Sequence, residues 1–131
     1  ISLEGSMKYA IIIAEGKQLS YSNYLSRDKN VSHVPDYSSI LYKGIYEHTD
    51  LRFYTRSNDL KYDYILRPGA DVKNIKMKAS GIQGISIHEN GDLLVNTAWG
   101  TISERKPYAY QIISGKETEV AVKFKLLDNF T

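Results

Sequence analysis

The nine residues Thr118-Glu119-Val120-Ala121-Val122-Lys123-Phe124-Lys125-Leu126 decide the fold class, because their side chains alternate along the chain. A strand places successive side chains on opposite faces, so this period of two predicts a strand with one apolar face. The face that we expect to point into the core consists of Thr118, Val120, Val122, Phe124 and Leu126.

The same alternation recurs along the rest of the chain. In Leu60–Leu66, the side chains of Leu60, Tyr62, Tyr64 and Leu66 share one face, opposite Lys61, Asp63 and Ile65. Further predicted strands are Lys8–Ile13, Leu19–Leu25, Ile40–Tyr42, Leu51–Tyr54, Ile75–Lys78, Gly84–His88, Leu93–Thr97 and Tyr108–Ile113. No window has the period of a substantial helix, and we expect one short helical turn near Tyr37–Ser39.

Turn residues separate the predicted strands. Asn90-Gly91 predicts a type I′ hairpin turn with two positive φ angles, and Pro68-Gly69 predicts a type II turn. Ser57-Asn58-Asp59 and Ser114-Gly115 predict two more turns, and the polar segment Ser26–Ser39 predicts a loose connection. Strands at spacings of about ten residues indicate an all-β fold, an antiparallel β-sandwich or open barrel built from a meander of short strands.

Composition argues against two classes of partner. The net charge is +2, and 17 Lys and Arg residues are dispersed among 15 acidic ones, so we expect no nucleic-acid partner. The longest apolar run, Ala10–Ala14, is much shorter than a membrane helix, so we expect no membrane span. The chain has no cysteine and therefore no disulfide or thiolate metal site.

The first residues do not resemble the rest of the chain. Leu3-Glu4-Gly5-Ser6 before Met7 is typical of cloning sites, so we interpret residues 1–6 as a cloning remnant outside the fold. Residues 7–131 then form a single β domain, of a length that buries roughly two-thirds of its surface on folding.

No motif predicts catalysis or a cofactor. His33, His48 and His88 do not have the spacing of a metal site, and no Gly-x-Ser-x-Gly sequence or phosphate-binding loop occurs. A calcium site would use Asp59 with Asp63, or Glu89 with Asp92, but the EF-hand spacing is absent and acidic residues beside Asn and Gly commonly form turns. A glycosidase pair of carboxylates stays open, because such pairs come from separate strands. We therefore expect no enzyme activity and no cofactor.

Aromatic and basic residues are the candidates for binding. The chain has 11 tyrosines against three phenylalanines, and these rings either stack on sugars or peptides or pack across strands. Trp99, between two predicted strands, is the residue that we expect at a loop tip. The predicted binding residues are Trp99, Tyr54, Arg52 and Arg56.

Six sets of residues occur in the order that one known family uses. They are Val34-Pro35-Asp36-Tyr37, Leu41-Tyr42 with Gly44-Ile45-Tyr46, Asp50-Leu51, Leu60-Lys61-Tyr62-Asp63-Tyr64, Pro68-Gly69-Ala70-Asp71 and Lys106-Pro107-Tyr108-Ala109-Tyr110-Gln111. On these residues the chain resembles the domain found near the amino terminus of SBBP-type β-propeller repeat proteins and of large secreted surface proteins of gliding bacteria. Ser20–Tyr24 resembles the segment that precedes the first set.

The resemblance implies an extracellular or cell-surface bacterial domain that is uncharacterised and noncatalytic. Its expected partners are other domains of the same polypeptide, and glycan or protein ligands. The alternatives are a carbohydrate-active enzyme domain and a cytosolic binding module. Glu47-His48-Thr49 departs from the Pro-Gly that the family commonly has there. The family's usual first and closing strands are missing, so we expect either a domain truncated at one or both ends or a shorter variant.

Overall fold

The computed structural model describes residues 1–57 and 59–127, and its regular structure is antiparallel β-strand apart from one 3₁₀ turn, η1 (Val72–Asn74). The all-β antiparallel prediction is therefore confirmed. The strands are β1 (Ser2–Glu4), β2 (Ile11–Tyr24), β3 (Val31–Tyr46), β4 (Thr49–Arg56), β5 (Asp59–Leu66), β6 (Lys76–Lys78), β7 (Gly84–Ile87), β8 (Leu93–Thr97), β9 (Gly100–Glu104), β10 (Ala109–Ile113) and β11 (Lys116–Val120). Across the described ranges, no helix has the length and apolar character that crossing a bilayer requires.

The strands form four sheets in two compact units of the chain. The unit Gly5–Ile75 contains one sheet in the order β2-β3-β4-β5. The other unit, residues 1–4 with the chain from residue 76 onward, contains the sheets β7-β8-β9, β10-β11 and β1-β6. Each sheet, as far as the described residues extend, is open rather than closed into a barrel. In the sheets β2-β3-β4-β5, β7-β8-β9 and β10-β11, strands that are consecutive in sequence lie side by side, which confirms the predicted meander.

Strand β1 lies in the segment that we set aside. We expected residues 1–6 to lie outside the fold, but Ser2, Leu3 and Glu4 pair with Lys78, Met77 and Lys76 of β6 and are therefore part of a sheet. The origin of these residues as a cloning remnant stays a prediction. The assignment of residues 7–131 to a single domain also stays a prediction.

The four-stranded sheet has longer strands than the sequence predicts. The predicted strands Lys8–Ile13 and Leu19–Leu25 overlap one long strand, β2, which begins at Ile11 and ends at Tyr24. The register of β2 against β3 shifts between Lys17 and Tyr21. The helical turn predicted near Tyr37–Ser39 is wrong, because Ser39 pairs with β2 on one side and with β4 on the other. The loose connection predicted over Ser26–Ser39 is shorter than expected, because strand β3 begins at Val31.

The core of this unit lies in the β3–β4 hairpin. Its buried side chains are Ile45, Tyr46, Thr49, Asp50 and Leu51. The Asp50 carboxylate is buried, and a buried charge is costly unless it is paired and hydrogen-bonded. Both of its carboxylate oxygens accept hydrogen bonds from the Arg67 guanidinium, and Oδ1 also accepts one from the Gly44 backbone N–H at 2.7 Å. The carboxylate therefore links the bulged end of β3 to the residue that follows β5.

One face of the sheet, which we call the aromatic face, carries a row of rings across three strands. The rings of Tyr42, Phe53, Tyr62 and Tyr64 contact one another in sequence, with centroids about 6 Å apart. Tyr62 and Tyr64 share this face as the alternation predicts, and opposed residues in the register place Phe53 beside Tyr62. For these four residues, packing across strands is the correct interpretation.

The stretch with the clearest alternation is less buried than its pattern predicts. Strand β11 ends at Val120, so the predicted strand Thr118–Leu126 is too long. Val122, which we expected in the core, is 39% exposed, and Val120 is also exposed. Thr118, Val120 and Val122 are therefore not in the core, because β11 pairs with β10 alone among the described strands. Phe124 and Leu126, the other residues of the expected face, are half-buried. In this unit the buried apolar side chains among the described residues are Ala79 and Leu93.

The turns fall where the sequence predicts, but one has a different geometry. Gly91 has a φ of +91° whereas Asn90 does not have a positive φ, and the Gly91 N–H donates to the His88 carbonyl. A type I turn closed by a left-handed glycine thus replaces the predicted type I′ turn. Ser114 and Gly115 both have positive φ, as type I′ requires. Asn58, in the predicted turn between β4 and β5, lies outside the described residues.

The Pro68-Gly69 prediction is confirmed. Gly69 has a φ of +94°, and the Ala70 N–H donates to the Arg67 carbonyl at 3.0 Å. This is the type II arrangement, in which proline sets the first φ and glycine accepts the positive second one. The turn directly follows Arg67 and so helps to place its side chain beside Asp50.

Strand β2 is an edge of the four-stranded sheet and leaves apolar side chains in solvent. Ile11 and Ile13 lie on the face opposite the aromatic face, Ile12 lies on the aromatic face, and all three are exposed. From Ile11 onward, the apolar run Ala10–Ala14 is therefore part of an exposed edge strand.

Candidate functional site

Polar residues from three strands line an open groove of about 350 Å³ in the four-stranded sheet. Its lining consists of Ser38, Ser39, Arg52, Tyr54, Thr55 and Asp63. The register creates this cluster, because Ser39 lies opposite Tyr54 and Arg52 lies opposite Asp63. Opposed residues of antiparallel strands point to the same face, so these four side chains lie on the face opposite the aromatic rings, which we call the groove face.

Glu15 of β2 forms a hydrogen-bond network that fixes the guanidinium of Arg52 in the groove. The Nε of Arg52 donates to Oε2 of Glu15 at 3.0 Å, and its Nη2 lies 3.4 Å from Oε1. The hydroxyl of Ser39 donates to the same Oε2 at 3.0 Å. The network spans β2, β3 and β4, so the Arg52 side chain is held in one orientation and its charge is largely matched by Glu15.

The groove also contains a carboxylate, that of Asp63, which lies opposite Arg52 in the register. The Tyr54 hydroxyl donates to Oδ1 of Asp63 at 3.3 Å, diagonally across β4 and β5. Of the other charged residues on or directly after these strands, Lys61 pairs with Asp59 and Arg67 pairs with Asp50.

The structure brings together two of the four predicted binding residues. Arg52 and Tyr54 both line the groove, whereas Arg56 lies at the end of β4 opposite Asp59 and is not part of the lining. Sequence reasoning missed Ser38, Ser39, Thr55 and Asp63 as lining residues. Alternation along β4 gives Arg52 and Tyr54 one face, but the residues beside them become known only from the register.

The fourth predicted residue, Trp99, lies in the other unit at the tip of the β8–β9 hairpin. Its side chain is 95% exposed, in agreement with the loop-tip position that we expected. The tip is held by Thr97, whose Oγ1 donates to the Gly100 carbonyl at 2.8 Å and accepts from the Trp99 N–H at 3.2 Å. A defined turn therefore presents the indole to solvent.

Among the described residues, four ionisable groups have shifted pKa values with local structural causes, and one of them is Arg67, whose pKa is raised by the hydrogen bond with Asp50. The Arg67 guanidinium lowers the pKa of Asp50, and the Lys106 backbone N–H lowers the pKa of Asp92. The hydrogen bond that the Tyr108 hydroxyl donates to Glu117 raises the pKa of Tyr108.

The histidines also have local contacts. His33 stacks on Tyr21 with ring centroids 4.6 Å apart, and Nδ1 of His88 lies 3.0 Å from Oδ1 of Asn90. His48 occupies the turn between β3 and β4 with a φ of +54°. Across residues 1–57 and 59–127, no group of three or more His, Asp or Glu side chains is placed to hold a metal ion.

Comparison with known proteins identifies a family. No curated protein and no solved structure matches the chain. One family model does, and its match extends over residues 1–131, the whole of the sequence. The chain therefore belongs to the family described as a domain of unknown function, DUF7948.

Proposed function

We propose that the chain is a noncatalytic, extracellular structural or binding module of a secreted multidomain surface protein, and that it contacts glycan or protein through Trp99. The observation that carries this proposal is the indole at the β8–β9 tip, which is 95% exposed. A large aromatic side chain in water represents apolar area that a ligand can bury. Tryptophan is also among the residues most enriched at the energetic centres of interfaces.

The geometry of the tip supports this role. Thr97 bonds both to the Trp99 N–H and to the Gly100 carbonyl, so the hairpin is ordered before a ligand arrives. Binding then costs less conformational entropy than it would from a disordered loop. The indole offers a flat apolar surface and one N–H donor, which suits the face of a sugar ring or an apolar side chain of a protein.

The proposed location rests on the resemblance, with its six ordered sets of residues from Val34 to Gln111. A test needs the native full-length protein in its own cells. Surface labelling and fractionation should recover the protein in the extracellular or surface fraction. Recovery in the cytosol would contradict the proposed location and favour a cytosolic module.

The binding role is tested by Trp99→Ala on a glycan array and against the purified flanking domains of the parent protein. We expect at least about a tenfold loss of affinity, which is typical of truncating a central aromatic contact. Trp99→Phe should retain part of the binding, and Tyr9→Ala, which removes an exposed aromatic residue from the other unit, should change nothing. Unchanged binding by a folded Trp99→Ala protein would contradict the proposal.

A further inference from the structure

We infer that the groove of the four-stranded sheet binds a sugar residue of a neutral glycan. This inference rests on the proposed binding function but concerns a different set of side chains, in the unit that does not contain Trp99. The groove, at about 350 Å³, falls at the small end of the range for ligand sites. One or two sugar rings are ligands of suitable size.

The charges of the groove disfavour ionic ligands. Arg52 is the cation of the lining, and Glu15 engages it through both carboxylate oxygens. An anionic ligand would have to compete with Glu15 and would also meet the negative charge of Asp63. A cationic ligand would meet Arg52 on the strand next to Asp63. A neutral ligand avoids both conflicts.

The hydrogen-bonding groups of the lining match a polyhydroxylated ligand. Ser39 and Tyr54 contribute the hydroxyl groups that lie on the groove face, and a hydroxyl can both donate and accept. Asp63 contributes an acceptor, and its bond with Tyr54 uses one of its two oxygens. A sugar needs donors and acceptors together, because each of its hydroxyls does both.

The hydrogen-bond network that joins β2, β3 and β4 holds side chains of the groove in fixed positions. Ser39 and Arg52 converge on Glu15 within 3.0 Å, so two lining side chains are already positioned in the absence of ligand. Preorganised polar groups bind a hydroxylated ligand at a lower entropic cost than mobile ones. The site is therefore expected to take neutral sugars with weak, millimolar affinity, as an open groove provides little enclosure.

The inference is tested by NMR titration of the ¹⁵N-labelled chain with neutral hexose oligosaccharides (maltotriose, cellotriose and mannotriose) and with acidic trigalacturonate. The neutral sugars should shift the backbone amides of Ser39, Tyr54 and Asp63 at millimolar concentration. Asp63→Asn should weaken this binding at least about tenfold, because a hydrogen bond to a charged acceptor is lost. Asp59→Asn is the matched control on the same strand, outside the lining, and should bind normally.

Several outcomes would overturn the inference. These are groove amides that no neutral sugar shifts, equal shifts with trigalacturonate, or an Asp63→Asn variant that binds as tightly as the wild type. The indole N–H signal of Trp99 separates this test from that of the proposed function. If the sugars shift the indole signal and leave the groove amides unchanged, the proposed function survives and the groove inference fails. If the sugars shift the groove amides and Trp99→Ala changes no binding, the groove inference survives and the role of Trp99 fails.

Discussion

Two hairpins of this chain have similar local patterns and very different burial. The β3–β4 hairpin contains the buried side chains of Tyr46, Thr49 and Leu51, whereas Tyr110, Ile112 and Val120 of the β10–β11 hairpin are all exposed. The difference lies in their neighbours. Strands β3 and β4 are the central strands of a four-stranded sheet, while β10 and β11 form a sheet of two. Alternation therefore predicts a strand and its faces, but burial depends on what lies beside the strand.

The two hairpins also differ in where their polar hydrogen bonds lie. The buried hairpin has Asp50 within it, and this carboxylate bonds with Arg67 and Gly44. In the exposed hairpin the Tyr108 hydroxyl donates to Glu117 at the surface. The first bond is shielded from water on the carboxylate side, so we expect it to contribute more to stability than the second.

The largest effect is expected from Leu51→Ala. Leu51 is 2% exposed, and truncating a leucine at such a site costs about 2–5 kcal/mol of unfolding free energy. Ile112→Ala in the exposed hairpin should cost less than about 1 kcal/mol. Urea unfolding followed by circular dichroism compares the two variants. Equal losses would show that the two hairpins do not differ in burial as described.

A smaller loss is expected from Asp50→Asn, about 1–3 kcal/mol, because the neutral amide bonds less well with Arg67 and Gly44. The guanidinium is half exposed, and water can partly replace the lost partner. Asp59→Asn removes an exposed ion pair with Lys61 and should cost less than about 1 kcal/mol. If the two variants were equally stable, the Asp50 bonds would contribute no more than a surface pair.

The same carboxylate predicts a dependence on pH. Hydrogen bonding with Arg67 lowers the pKa of Asp50 in the folded state, so folding favours the ionised form. Its contribution is present above the unfolded-state pKa, near 3.8, and is lost as the pH falls through the lower folded-state pKa. The difference in stability between wild type and Asp50→Asn should therefore shrink below about pH 4. A difference that is constant from pH 7 to pH 2 would contradict this.

The smallest effect is expected from Val122→Asp, within about 1 kcal/mol of wild type. Val122 is 39% exposed, so its charged replacement can remain hydrated. The alternation of Thr118–Leu126 alone would predict the opposite, since an unpaired buried charge costs several kcal/mol. Unfolding of the variant at room temperature would show that this stretch is buried after all, and would remove the contrast between the two hairpins.

The predictable parts of the fold are those that local chemistry determines. Pro68-Gly69 forms its type II turn because proline and glycine each have one conformation that suits it. Tyr62 and Tyr64 share a face because strands alternate. The left-handed position of the β7–β8 turn is Gly91, as expected, but the turn contains one more residue than the type I′ prediction allowed. In that case the register of the flanking strands decided the geometry.

The candidate site was only partly predictable, because its contacts are long-range. Glu15 and Arg52 are 37 residues apart, and nothing in either local sequence indicates that the two meet. Arg56 has the right strand and the right face but lies beyond the groove, which only the pairing of β4 with β5 could reveal. Trp99 was predictable as a tip residue because it stands next to a glycine between two strands.

The exposed edge of β2 also affects how the protein behaves in concentrated solution. Ile11, Ile12 and Ile13 are exposed on a strand that, among the described strands, pairs with β3 on one side, and an edge strand is a template for stacking chains into fibrils. A net charge of +2 provides little colloidal repulsion to keep the molecules apart. Storage concentration and ionic strength should consequently govern the shelf life of a preparation as much as its folding free energy does.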